Sequence, residues 1–110
     1  MAEYLMLSQR RSNELLSFLP TDSQMTKLAD YFQNFADSTR LKIITCLSLC
    51  DMCVGDISTL LGINQTTVSH QLKILKDQGL VSFRREGKIL LYSLVEPSIS
   101  DVMMYAVEYL

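Results

Sequence analysis

The sequence predicts a mainly α-helical fold carrying one two-stranded β-hairpin, and three observations lead there. Apolar residues recur at spacings of three and four through most of the chain, the signature of amphipathic helices. Over residues 54–79 a short helical segment, a Gly-containing turn and a second helical segment follow one another, which is a helix-turn-helix layout. Directly after it, over residues 80–95, two alternating stretches flank Glu86-Gly87-Lys88 and read as a hairpin. A hairpin appended to a helix-turn-helix is a wing, so the fold class is a winged helix-turn-helix.

At 110 residues the chain reads as one domain, 1–110. Ala2–Leu19 reads as a helix with Leu5, Leu15, Leu16 and Leu19 available for burial. Pro20-Thr-Asp-Ser23 breaks it and starts another, running from Ser23 to Phe35 with Met25, Leu28, Ala29, Phe32 and Phe35 at helical spacing. Asp37 suits the N-cap of a third helix, Ser38–Leu49. Cys50-Asp51-Met52 then leads into a short helix, Cys53–Leu61, stopped by Gly62 as a left-handed C-terminal residue. Asn64 caps the next helix, which ends at Gly79 and buries Val68, Leu72 and Leu75 on one stripe. In the hairpin Val81, Phe83 and Arg85 alternate, as do Leu90, Tyr92 and Leu94. After Pro97 the last helix sets Ile99, Val102, Met103, Ala106, Val107 and Leu110 on one stripe. A chain this small has little core left for that stripe, so a partner helix is expected to cover it.

Composition excludes several classes. Hydrophobic residues make up 48% of the chain against 20% charged, which suits a compact protein with apolar surface to hide, as in a dimer. No apolar run approaches the roughly 18–20 uncharged residues that span a bilayer, and the N-terminus lacks a signal-peptide pattern. A cytoplasmic location is expected. Three closely spaced cysteines, an odd number, argue against a secreted disulfide framework. With one histidine, no carboxylate pair near it and no Gly-rich phosphate loop, the chain is not expected to be an enzyme.

The net charge of −2 is unevenly spread. Between Gln71 and Leu90, Lys73, Lys76, Arg84, Arg85 and Lys88 face Asp77 and Glu86, a net of +3 that leaves −5 elsewhere. On the second helix of the helix-turn-helix, Gln65, Thr66, Thr67, Ser69, His70 and Lys73 fall opposite the apolar stripe. Hydroxyls, an amide, an imidazole and an ammonium are the groups that donate to phosphates and reach base edges in a major groove. The same residues also suit an ordinary solvated helix face; their coincidence with the basic hairpin favours duplex DNA as partner.

With these residues in place, the chain resembles the ArsR/SmtB family of dimeric winged-helix repressors over about residues 25–95. The matching stretches are Phe35-Ala-Asp-Ser-Thr-Arg-Leu-Lys-Ile-Ile44, Met52-Cys-Val-Gly-Asp-Ile57, Thr67-Val-Ser-His-Gln-Leu72, Gly79-Leu-Val81, and Arg84-Arg-Glu-Gly-Lys88 with Tyr92. The resemblance implies a homodimer joined through the first and last helices, residues 1–19 and 98–110, with Leu5 and Leu15 contributing beside the last-helix stripe. It also implies repression from a palindromic operator, relieved by an effector. Carried over by position, Gln65, Thr66, Thr67, Ser69 and His70 face bases, Lys73 and Arg40 face phosphates, and Arg84, Arg85 and Lys88 carry the wing along the backbone or into a minor groove.

The family's metal-sensing patterns are broken here. Cys53 matches the first position of its Cys-x-Cys pair, but Gly55 holds the second and cannot ligate. The last helix offers Asp101 and Glu108 but no imidazole, so a histidine–carboxylate site for zinc, nickel or cobalt is not expected. Cys46, Cys50 and Cys53 remain as a candidate effector site. Cys46 and Cys50 lie one helical turn apart, and Cys53 follows the bend, so three thiolates can be brought together for arsenite, cadmium, lead or copper(I). Oxidation of the Cys50–Cys53 pair without any metal is an open alternative, as is Cys46 acting as plain core beside Ile43, Ile44 and Leu47. A winged-helix protein-interaction module without DNA binding is the alternative from another class.

Overall fold

The computed structural model describes residues 5–110. Its elements are α1 (Gln9–Leu16), α2 (Asp22–Gln33), α3 (Ser38–Leu49), α4 (Val54–Leu61), α5 (Gln65–Asp77), β1 (Val81–Glu86), β2 (Ile89–Leu94) and α6 (Ser98–Val107). This is the winged helix-turn-helix that the sequence predicts, α4 and α5 forming the helix-turn-helix and β1–β2 the wing. None of the described helices is long and apolar enough to cross a membrane. The chain divides into two compact units, one ending at Asp30 and the other spanning Tyr31–Leu110.

In the first unit α1 is shorter than the expected 2–19 helix. Ser8 ends it on the N-terminal side, its hydroxyl accepting from the Arg11 amide at 3.1 Å, so a cap signal overrides the leucine pattern. Residues 2–4 of the expected helix lie outside the described residues. Leu5 is exposed and Leu15 half-buried. A reciprocal pair starts α2: Thr21 Oγ1 accepts from the Gln24 amide at 3.1 Å, and Gln24 Oε1 accepts from the Thr21 amide at 2.9 Å.

The second unit holds the core. Asp37 caps α3 as expected, its carboxylate accepting from the Arg40 amide at 2.9 Å. Ile43, Ile44, Cys46 and Leu47 of α3 meet Ile57 of α4, Val68, Leu72 and Leu75 of α5, Leu80 and Val81 at the wing's root, and Met52. Ile99 joins them from α6 and Met103 packs against the cluster. These two residues, expected at a subunit contact, are thus turned inward: a ten-residue helix after a sharp bend needs its own anchor in the core. α4 stops at Gly62, whose φ of +66° is the left-handed conformation that disfavours a Cβ. The hairpin is antiparallel with Val81 opposite Leu94 and Glu86 opposite Ile89, so Gly87 and Lys88 form a two-residue turn with Gly87 at φ +63°.

Candidate nucleic-acid interface

The outward face of α5 is built by a cap and a stripe. Asn64 Oδ1 accepts from the Thr67 amide at 2.8 Å and fixes where the helix begins. Val68, Leu72 and Leu75 are fully buried beneath it. Gln65, Thr66, Ser69, His70 and Lys73 are exposed, while Thr67 is half-buried beside the cap. The wing follows from the end of α5, where the Lys76 ammonium sits 4.8 Å above the Phe83 ring, itself packed on Tyr92 across the hairpin. Arg85 and Lys88 are exposed, and neither is paired with a carboxylate among the described residues.

Two arginines expected at the DNA, Arg40 on phosphate and Arg84 on the wing's backbone or minor-groove path, are engaged within the protein. Arg40, half-buried on α3, donates through Nε to Gln71 Oε1 on α5 at 3.0 Å and through Nη1 to Asn34 Oδ1 at 3.2 Å. Asn34 is buried and donates in turn to the Tyr31 carbonyl at 3.0 Å. Arg40 therefore links α3 to the helix that carries the polar face. Arg84 donates through Nη1 to Asp51 at 2.8 Å and through Nε to Glu86 at 3.1 Å. Those bonds, to Asp51 first, raise its pKa further above the ordinary guanidinium value. The sequence analysis assigns no role to Gln71, Asn34 or Asp51: partners 31 and 33 residues away leave no periodic trace for Gln71 and Asp51, and Asn34 meets Arg40 across the bend between α2 and α3.

The cysteines divide by environment. Cys46 is buried in the core, and burial first, the nearby Cys50 second, pushes its thiol pKa upward. Cys50 is exposed at the C-terminus of α3. Cys53 is half-buried at the N-cap of α4, where Asp56 Oδ2 accepts from both its amide and its thiol, each at 3.2 Å. These two hydrogen bonds from Cys53, the thiol's foremost, lower the Asp56 pKa. Among the described residues no three Cys, His, Asp or Glu side chains stand together as a metal-holding group, so the expected convergence of Cys46, Cys50 and Cys53 is absent from this conformation. A Cβ placed on Gly55 would lie 3.8 Å from Cys53 Sγ in ordinary contact. The place of a second thiolate is thus sterically open but chemically empty, and the residues present do not fit a Cys-x-Cys metal site.

With this geometry established, comparison with known proteins is direct. Residues 37–82 match the model of the family described as bacterial regulatory protein, arsR family. A transcriptional repressor, an SmtB homolog from a Synechocystis strain, is 32% identical over 79% of this chain and 66% of its own length. The HTH-type transcriptional regulator NmtR of Mycobacterium tuberculosis is 35% identical over 80% of this chain and 74% of its own length. The chain thus spans just under two thirds of the first relative. Among solved structures, a homodimeric winged helix-turn-helix DNA-binding domain from Mycobacterium bovis superposes with a TM-score of 0.70 at 28% identity, covering 82% of this chain and 86% of that one. These relatives are named as regulators of transcription rather than as enzymes, in line with the expectation of no catalysis.

Proposed function

This chain belongs to the arsR family of bacterial regulatory proteins, and from that premise we propose that it is a homodimeric, DNA-binding transcriptional repressor acting in the cytoplasm. The observation that carries the reading is the α5 face: Gln65, Thr66, Ser69 and His70 stand exposed on a helix whose other side is locked into the core. Such a helix can enter a major groove without giving up its own packing. Thr67 beside it, Lys73 at its flank, and Arg85 and Lys88 on the wing complete the contact, the cations meeting phosphates and the short polar groups reading base edges. A symmetric dimer joined through the α6 residues Val102, Ala106, Val107 and Leu110 presents two such faces to a palindromic operator with half-sites about one helical turn apart.

Release from the operator is assigned to a thiol-directed effector at Cys50 and Cys53, the two cysteines outside the core. Soft, thiophilic species such as arsenite, cadmium, lead or copper(I) have the right affinity for such thiols. Oxidation of the same pair is the second reading, favoured by the exposure of Cys50 and the Cys-x-x-Cys spacing. Because both thiols lie in the connection that leads into α4, and α4 packs against α5 through Ile57 and Val68, a change there reaches the DNA face. A preference of about 1–3 kcal/mol between binding and non-binding dimers alters operator affinity roughly 5–150-fold.

One experiment separates these statements. Reduced protein is titrated with arsenite, cadmium and copper(I) while thiolate–metal absorption and release of a fluorescent duplex, selected by the protein from a random pool, are followed together. Binding that releases DNA and is lost in Cys53→Ser supports the metal reading. DNA binding that responds to oxidant alone favours the thiol-oxidation reading. No retardation of any duplex at low salt overturns the DNA-binding assignment in favour of a protein-interaction module.

A further inference from the structure

The connection Cys50–Cys53 is tied to the wing at two successive residues. Met52 forms an antiparallel bridge with Tyr92 of β2, its amide donating to the Tyr92 carbonyl at 3.1 Å and its carbonyl accepting from the Tyr92 amide at 2.8 Å. The Met52 side chain is buried in the core, so this bridge is anchored. One residue earlier, Asp51 accepts from Arg84 of β1 at 2.8 Å. Since Arg84 pairs with Leu91 in the hairpin register, its side chain reaches across β2 to arrive there. β2 is therefore flanked by β1 on one edge and by residue 52 on the other, with the Arg84 side chain laid over it as a strap.

We propose that Arg84 is a positioning residue of the wing, not a phosphate contact. It aims the hairpin by bonding Asp51, while Arg85 and Lys88 meet the DNA. Two facts carry this. The Arg84 guanidinium already donates to two carboxylates, Asp51 and Glu86, which offset its charge. Arg85 and Lys88 are unpaired among the described residues, Lys88 within the turn and Arg85 near the end of β1. The inference rests on the DNA-binding reading and deepens it, because the strap ends between the two thiols. An effector on Cys50 or Cys53 then acts on the wing through the adjoining residue as well as through α4. An exposed ion pair adds little to global stability; its consequence here is the direction in which the hairpin tip points.

The test is a salt series of binding by the intact protein to the selected duplex. Arg85→Gln and Lys88→Gln each flatten the plot of log affinity against log salt by about 0.9 per contact, counted once for each protomer. Arg84→Gln leaves the slope unchanged and weakens binding by up to about fivefold per protomer, the range of an exposed pair. Asp51→Asn does the same although it removes no cation, and the charge swap Asp51→Arg with Arg84→Asp restores affinity. A slope flattened by Arg84→Gln, with binding unchanged or tightened by Asp51→Asn, overturns the proposal. Should no duplex be bound at all, the DNA-binding reading has failed and the strap is judged on the free protein. There Asp51→Asn and Arg84→Gln must both speed hydrogen exchange of the Met52 and Tyr92 amides, and unchanged rates overturn it.

Discussion

Gly55 lies within ordinary contact distance of Cys53 Sγ, and its backbone has no left-handed φ to protect. Gly55→Cys therefore supplies a second sulfur without strain. The expected outcome is a thiolate–cadmium absorption band stronger than that of the parent chain; an unaltered titration refutes the placement. One residue on, Asp56 makes a pH prediction. Its pKa is lowered in the fold by the Cys53 thiol first and the Cys53 amide second. A carboxylate so depressed lends its support above its ordinary pKa and loses it as pH falls through the lowered value. The first turn of α4 accordingly loosens only in acid, below about pH 4. The Cys53 amide resonance should shift along that titration, and the shift should vanish in Asp56→Asn. The sequence analysis gives Asp56 no role, and the capping box it closes with Cys53 emerges only in the fold, because the resemblance directs attention to Cys53 as a ligand rather than as an N-cap.

Secondary-structure elements were legible wherever a cap coincided with a periodic stripe. α3 runs over the expected Ser38–Leu49 because Asp37 accepts the Arg40 amide as an N-cap should. α5 buries the expected Val68, Leu72 and Leu75 because Asn64 and the stripe agree on its start. α1 is shorter than its leucine pattern predicts because Ser8 sets a later beginning. α6 was half legible: its stripe is real, but Ile99 is spent on the chain's own core. The same logic predicts how α5 fails. Leu72→Ala empties a fully buried site and is expected to cost about 2–5 kcal/mol in chemical denaturation, whereas Ser69→Ala with His70→Ala removes only exposed groups. That double variant should unfold like the parent, keep its oligomeric state in sizing, and lose specific operator binding. Retained specific binding refutes the role given to α5.

At the level of the assembled protein, what remains unexplained by the core of one chain is the outer side of α6. Val102 is 60% exposed, Val107 55%, Tyr105 67% and Tyr109 81%, while Ile99 and Met103 on the inner side are already used. Scattered apolar residues on a surface need no explanation, but Val102, Tyr105 and Tyr109 share one side of α6 at spacings of three and four and form a band there, with Val107 exposed past the inward Met103. Water contact at this band is a standing cost that a second α6 would remove in the proposed dimer, where a two-fold axis would let the same residues serve both copies. Carboxylates placed in the band must be buried uncompensated if the dimer forms. Val102→Glu with Ala106→Glu is therefore expected to give a folded monomer, since neither side chain belongs to the core. Circular dichroism should be unchanged, sedimentation should report one chain, and operator affinity should collapse because one half-site no longer holds the other. A variant that sediments as a dimer with native spectra would move the subunit contact off α6.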